Sequence, residues 1–349
     1  MLRYLTAGES HGKVLLGILE GMPAGLKVDK GAINLELKRR QSGFGRGARM
    51  AIETDTVQIL GGLRKGVTIG SPIALLVENR DASIDSLPPI TRPRPGHADL
   101  AGAIKYDRQD IRDILERASA RETAMRVAVG AICKMLLEEF GIRIASHVIE
   151  IGGAASNQKA MLKKVEECTK SGDTIGGICE ITAAGVPIGL GSHVQSDRRL
   201  DAKIAGAMMS IQAIKGVEIG LGFAAARLPG SKVHDEIILD KHGNFTHKTN
   251  NAGGIEGGIS NGEPIIVKIA MKPIATLGTP LDTVDIKTKK KTEAQVERHD
   301  VCAVHAVSVV GEAVLAFVVA CVMAEKFGGD SLNEMKRNFD GYIRQVKSF

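Results

Sequence analysis

Residues Gly8 to Gly12 read GESHG, a serine and a histidine side by side between two glycines. As letters this is G-x-S-x-G, the nucleophile elbow of many serine hydrolases. The context does not suit an elbow. Only seven residues precede Gly8, whereas an elbow follows several strands of a parallel sheet. Ser10 and His11 are also neighbours, so on extended backbone they point to opposite faces. A triad histidine comes from elsewhere in the chain. A polar turn after a short first strand explains the glycines but leaves a Glu-Ser-His cluster without a task.

The other chemistry-bearing residues are mostly arginines in glycine- or serine-rich company. Arg39, Arg40, Arg46 and Arg49 frame the stretch QSGFGRGARM. Arg92 and Arg94 sit beside His97 in TRPRPGHADL, and Arg117, Arg121 and Arg126 lie where a long helix begins. Arg298 adjoins His299 and Asp300. Arginines beside backbone N–H groups and helix starts hold phosphates and carboxylates. Arg94 and Arg121 fall in constrained turns and suit such a role. Arg39 and Arg126 read as ordinary solvated charges.

Several classes are set aside. No G-x-x-x-x-G-K-[ST] is present, and no G-x-G-x-x-G lies between a strand and a helix. His242 and His247 lack carboxylate company, so no metal site is expected. His147, His193 and His234 read as surface or capping residues. The GFGRGAR loop and the basic balance keep RNA binding open, but aromatic residues are only 3%, too few for stacking on single strands.

These groups must be positioned by a chain of 349 residues, 44% apolar and 25% charged, with a net charge of +6 and a pI near 9.0. That is a globular composition with an aliphatic core. Its 41 glycines exceed the usual share of about 7% and imply tight turns or close backbone approach to a ligand. Five scattered cysteines and no signal-peptide pattern favour reduced thiols and a cytoplasmic location. The apolar run 313–324 is too short to span a bilayer and reads as a buried core helix. Glu312, just before it, is expected to be hydrogen-bonded in the core or at an interface.

Strands are expected in residues 1–25 on either side of GESHG, at 56–60 and 67–77, at 143–151 and 175–183, and around an Asn261-Gly262 hairpin. Helices are expected at 31–40, 119–140, 198–215 and 303–327. The second starts with Ser119-Ala120-Arg121-Glu122, a capping-box pattern. Residues 282–299 read as a mobile, lysine-rich loop. No linker divides the chain, so residues 1–349 read as one domain of α+β layers. Each half holds long helices flanked by short strands, which leaves an old duplication open, although no internal repeat is convincing.

Taken together, the segments GESHGKVLLGILEGMPAG, RRQSGFGRG, RPGHAD, ERASARETAMRVAVGA, SIQAIKGVEIGLGF, NNAGGIEGGISNG, KPIAT and RHDVCAVHAVSVVGEAV resemble the chorismate synthase family, in the family's order. The match runs from residue 3 to about 325. RHDV stands where many members have RHDP.

The resemblance implies a layered β-α-β sandwich, antiparallel sheets around a helical core, assembled as a homotetramer. It implies an anti-1,4-elimination of phosphate from 5-enolpyruvylshikimate 3-phosphate, with reduced FMN and no net redox change. The partner is then a small molecule, with no role for nucleic acid or membrane. By the resemblance, Ser10 is a polar active-site residue and His11 a general acid that helps phosphate leave. His97 holds the reduced flavin in its working protonation state, and Asp300 helps relay a proton from it. Arg46, Arg49, Arg94, Arg121 and Arg298, with Arg40, would neutralise a substrate of charge about −4. FMN would be held by Arg117, Ala118, Ser119, Gln212, Ala213, Gly257, Lys272, Pro273, Ile274, Ala275, Thr276 and Arg298. The missing nucleotide fingerprint favours reduction of the flavin from outside. Were NADP to bind, Arg40 and Arg46 would be its contacts.

Overall fold

The computed structural model describes residues 2–45, 54–155, 157–297 and 300–349. Strand β1 (Arg3–Ala7) runs into the GESHG turn and returns as β2 (Val14–Glu20). Helix α1 (Lys30–Gln41) follows, started by Asp29, whose carboxylate accepts from the Gly31 N–H. Strands β3 (Val57–Gly61) and β4 (Ile73–Glu78) complete a four-stranded antiparallel sheet in the order β1-β2-β4-β3. Alternation sorts its side chains: Leu15, Leu19, Val57, Ile73, Leu75 and Val77 are buried, while Leu5, Ile18 and Leu60 stand on the open face.

Two short helices come next, α2 (Asp99–Lys105) and α3 (Arg112–Ala118), then α4 (Thr123–Glu138). A second antiparallel sheet holds β5 (Arg143–Ile151), β6 (Gly177–Ala184), β7 (Ile214–Ile219) and β8 (Ile265–Met271) in the order β7-β8-β6-β5, with Ala154–Ala155 at the edge. Helices α5 (Gln158–Ser171) and α6 (Leu200–Met209) lie between its strands in sequence. The long α7 (Val304–Phe327) and the terminal α8 (Leu332–Ser348) complete the chain.

The layers follow from which faces are apolar. Helix α4 packs on β2 and β4 of the first sheet, α7 packs on β5 and β6 of the second, and the two helices pack on each other. One hydrophobic cluster runs through all three layers. The helices approach closely because Gly130 faces Ala313: a Cβ there would lie 2.4 Å from the Ala313 Cα. Helix α7 is long and apolar enough to cross a membrane, but nearly all of it is buried between the sheets, as a core helix. The architecture is therefore the expected α+β sandwich.

Some elements differ from the sequence reading. Ser119 caps a 3-10 turn over Ala120–Glu122, accepting from the Arg121 N–H, so no reciprocal capping box forms. Glu122 instead turns to Thr6, Arg126 and Gln212. The helix expected at 198–215 stops at Met209, because Ala213 takes a left-handed φ of 68° and the chain turns into β7. Residues 282–293 form an ordered hairpin, with Asp282–Val284 paired to Lys291–Glu293. Its turn is closed by Asp285, which accepts from the Lys287 and Thr288 N–H groups and from the Thr91 hydroxyl. Helices α2, α3, α5 and α8 have no counterpart in that reading.

Candidate active site

The GESHG turn is held open by its own backbone. Gly8 has φ +101°, and a Cβ there would sit 2.2 Å from the Val14 carbonyl. The turn joins antiparallel strands, not a strand and a helix, so no elbow exists. Arg117, near the end of α3, braces the turn from below. Its Nη1 donates to the Gly8 carbonyl (2.9 Å) and its Nη2 to the Thr6 carbonyl and hydroxyl (2.8 Å each).

Ser10 and His11 both meet Glu116, one residue before Arg117. The Ser10 N–H donates to the Glu116 carbonyl at 3.0 Å. The His11 N–H donates to Glu116 Oε2 at 2.8 Å, and His11 Nδ1 lies 2.9 Å from both carboxylate oxygens. Arg112 reaches Oε1 of the same carboxylate at 3.2 Å. Burial pushes the Glu116 carboxyl up, but the His11 and Arg112 contacts outweigh that and hold it below its ordinary value. The Ser10 and Ser119 hydroxyls are 3.3 Å apart, so the first turn and the start of the 3-10 helix share one polar wall.

Behind that wall lies a buried ionic cluster. Asp55 accepts from Arg121 Nη1 at 2.7 and 2.8 Å and from Arg40 Nη2 at 3.0 Å. Arg121 Nε donates to Asn79 Oδ1 at 2.9 Å, and Asn79 Nδ2 donates to the Glu9 and Gly12 carbonyls. The cluster thus ties α1, the start of β3, the end of β4 and the GESHG turn together. Two guanidinium groups thus share the Asp55 carboxylate.

The RPGHAD turn is built in the same way. Asp99, fully buried at the start of α2, accepts from Arg94 Nε (2.8 Å), from Arg94 Nη2 (3.1 Å) and from the Arg94 N–H (3.0 Å), and it pairs with His97 Nδ1. Burial raises the Asp99 carboxyl, yet His97 and Arg94 drive it well below the usual carboxylate range. Arg94 Nη1 donates to the Thr276 hydroxyl at 2.8 Å, joining this turn to KPIAT. Lys272 Nζ donates to the Gly96 carbonyl at 2.7 Å, and the Lys272 N–H donates to the Ala213 carbonyl at 3.0 Å. Burial, with a lesser push from Lys215, lowers the Lys272 ammonium.

Of the residues singled out in the sequence, the structure links Ser10 to Ser119, Arg117 to the GESHG turn, and Arg94 to both His97 and Thr276. It also links Gly96 to Lys272 and Lys272 to Ala213. Gln212 donates from Nε2 to Glu122 at 3.2 Å, beside Thr6. Ala118, Pro273, Ile274 and Ala275 lie in the same segments, and the Ile274 carbonyl accepts from Thr174. Gly257 stands in a separate hairpin, whose Gly258 carbonyl accepts from Leu200 at the start of α6. Asp300 precedes Val301 and Cys302, whose N–H groups both donate to the Gly45 carbonyl, so its segment adjoins Gly45, four residues past the end of α1. Arg46, Arg49 and Arg298 lie outside the described residues.

Sequence reasoning missed the carboxylates that organise these groups: Glu116, Asp99 and Asp55. Glu116 and Asp99 lie inside motifs already singled out, ERASARE and RPGHAD, and that adjacency was the available signal. Arg39 and Arg126 are not plain solvated charges. Arg39 chelates Glu312 at 2.7 and 2.9 Å and also bonds Glu36. Arg126 bonds Glu122 and Ser210. Glu36 and Glu122 are neighbours three and four residues back, whereas Glu312 comes from the distant α7. Glu312 is fully buried and also accepts from Ser146 and Lys134, as a buried charge requires.

Fold and site together define an enzyme for a small polyanion, with two histidines held by arginine-backed carboxylates. The family model for chorismate synthase matches residues 2–324. A chorismate synthase from Caldanaerobacter subterraneus subsp. tengcongensis is 58% identical, with all of both chains covered. One from Aquifex aeolicus is 52% identical, covering all of this chain and 99% of that one. A solved structure titled as the crystal structure of chorismate synthase superposes with a TM-score of 0.82 at 45% identity, over 100% of this chain and 99% of that one. The chain belongs to the chorismate synthase family. Its activity is that of the family: a carbon–oxygen lyase of aromatic amino acid biosynthesis that eliminates phosphate from 5-enolpyruvylshikimate 3-phosphate to form chorismate.

Proposed function

We propose that the elimination takes place between the GESHG turn and the RPGHAD turn, with reduced FMN as cofactor. The observation that carries this reading is the convergence of Ser10, His11 and Ser119 on one wall, the first two held by the buried Glu116, with Arg121 fixed to Asp55 behind it. His11 donates to the departing phosphate oxygen, and Ser10 orients it. Arg121 with Arg40, and the arginines Arg46, Arg49 and Arg298, neutralise the phosphate and carboxylates. Arg94 contributes by fixing His97 and Thr276 in place.

The residues present fit a flavin. Gln212 Oε1 is buried without a hydrogen-bond partner among the described residues, an acceptor that a donor on a bound ring would satisfy. Among the described residues Arg117 meets neutral oxygens and Lys272 a carbonyl, so both keep charge for a phosphate. Arg117, Ala118, Ser119, Gln212, Ala213, Gly257, Lys272 to Thr276 and Arg298 would hold the cofactor. When bound, it supplies electron density to the substrate and recovers it, so no net redox change results. His97, held by Asp99, sets the protonation of the group it faces, and Asp300 moves the proton onward.

Reduction of the flavin from outside is the reading the sequence supports; Arg40 and Arg46 would be the contacts for NADP. Arg40 is 5% exposed and engaged with Asp55, which favours a structural part for it. A homotetramer is supported by the open face of the first sheet, where Leu5 (72% exposed) pairs across strands with Ile18 (42%). One domain over residues 1–349 is supported by the shared core, and the cytoplasm by five free thiols.

The test is anaerobic. Protein, reduced FMN and 5-enolpyruvylshikimate 3-phosphate are mixed and chorismate is followed by absorbance, with oxidised FMN and His11→Ala as controls. Product with reduced FMN alone, slowed at least about 100-fold in His11→Ala, is expected for a general acid. Product formed equally with oxidised FMN would refute the cofactor assignment, and an unimpaired His11→Ala would refute the role of His11.

A further inference from the structure

We propose that Glu116 is the positioning residue for His11, fixing which ring nitrogen exchanges the proton. The proposal rests on the role given to His11 above and adds to it the group that sets its tautomer. Glu116 is 2% exposed, and its carboxylate is anchored on the far side by Arg112, itself 5% exposed and tied to the Pro88 carbonyl at 3.0 Å. Both Glu116 oxygens lie 2.9 Å from His11 Nδ1, and Oε2 also takes the His11 backbone N–H.

The tautomer follows from the chemistry of the acceptor. An ionised carboxylate offers no proton, so a hydrogen bond to Nδ1 requires the proton to sit on Nδ1. Contacts from His11 and Arg112 keep this carboxylate ionised despite burial. Proton exchange with a bound substrate must then run through Nε2. Free imidazole side chains favour the opposite tautomer, with the proton on Nε2, so the preference has to be imposed by the protein.

Because the Glu116 carbonyl also takes the Ser10 N–H at 3.0 Å, one residue sets both members of the GESHG pair. The backbone contact survives substitution at 116, and Glu116→Gln also keeps an oxygen that can accept from the His11 N–H while removing the charge that demands a proton on Nδ1. This substitution therefore tests the tautomer with the turn's hydrogen bonds left available. The RPGHAD turn is less decisive. His97 Nδ1 meets Asp99, but Arg94 Nη2 also approaches it at 3.1 Å, and a guanidinium cannot accept.

The experiment uses the full-length protein with 15N-labelled histidine, and Glu116→Gln and Glu116→Asp beside the wild type. His11→Ala assigns the His11 signals. Above pH 8 the wild-type His11 shifts should report the Nδ1–H form, and Glu116→Gln should move them toward the Nε2–H form. In the anaerobic assay Glu116→Gln should lower kcat about 10–100-fold with KM changed little, the usual cost of losing an outer partner of a working histidine. Glu116→Asp should recover part of the loss. A wild-type ring already in the Nε2–H form, or unchanged shifts and kcat in Glu116→Gln, would overturn the proposal. The shifts are read without substrate or flavin. A failure of the catalytic reading would silence the assay of the wild type while leaving the tautomer result standing.

Discussion

Replacing Asp55 by Asn tests whether the buried cluster behind the site is held by charge. Asp55 is 5% exposed and takes hydrogen bonds from Arg121 and Arg40, both nearly as deeply buried. Asparagine keeps the volume and one acceptor oxygen but removes the negative charge that the two guanidinium groups share. Breaking one side of a buried ion pair costs about 3–5 kcal/mol, mostly from the charge left uncompensated. A chain of 349 residues unfolds with an entropy of about 0.7 kcal/mol/K, from about 2.1 cal/mol/K per residue, so the midpoint should fall by about 4–7 °C. Scanning calorimetry reads this directly. Adding inorganic phosphate should raise the midpoint of Asp55→Asn more than that of the wild type, because an anion can stand in for the missing carboxylate. A variant that melts within about 1 °C of the wild type would refute the argument, since the cluster would then be held by packing alone.

Acid should weaken the fold through a defined set of groups. Asp99, Glu116, Glu122 and Glu312 are all depressed by their partners. The stability they contribute is therefore complete above the unfolded carboxylate values near about 4 and is lost as pH falls below them. Melting midpoints should hold from pH 7 to 5 and drop toward pH 3, and Glu312→Gln should show a shallower drop; a flat profile down to pH 3 would refute the assignment. The thiols should divide by burial. Burial pushes Cys179 and Cys321 up to about 12 and raises Cys133 well above the usual thiol value, while Cys168 is partly exposed on α5. Native protein treated with iodoacetamide at pH 7.5 should be labelled first at Cys168 by mass spectrometry, and early labelling at Cys133 would count against the packed α4–α7 core.

What could be read from the chain depended on how far apart the interacting residues lie. The GESHG turn, the strand pairs beside it and the long helices α4 and α7 are local patterns of glycine and apolar spacing, and they were legible. Helices α2 and α3 have only seven residues each, too short for a helical period to stand out. Helix α8 does carry the period, with Leu332, Met335, Phe339 and Tyr342 against Phe327 and Phe140, but it lies past the last recognisable motif. The hairpin at 282–293 was hidden because its order comes from Asp285 and the distant Thr91. Asp55 was invisible for the same reason. Nothing around it in sequence announces that Arg40 and Arg121, 15 and 66 residues away, will close on it.

That hidden acid changes what the arginine clusters mean. Read along the chain, they are loose positive charge waiting for an anion. In the fold, Arg94, Arg112, Arg121 and Arg40 are each fastened to a carboxylate and buried to 9% exposure or less. A guanidinium fixed in this way loses no side-chain freedom when a ligand arrives, and its field is already oriented. The carboxylates also keep the fold from burying four uncompensated charges in a low dielectric, which would oppose folding. The attraction for a tetra-anionic substrate then rests on the chain's net charge of +6, to which the arginines proposed to neutralise it, Arg46, Arg49 and Arg298 among them, contribute. Aim is set by the pairs, and strength by the surplus. This division explains why a site rich in arginine can be rigid without being repelled by itself.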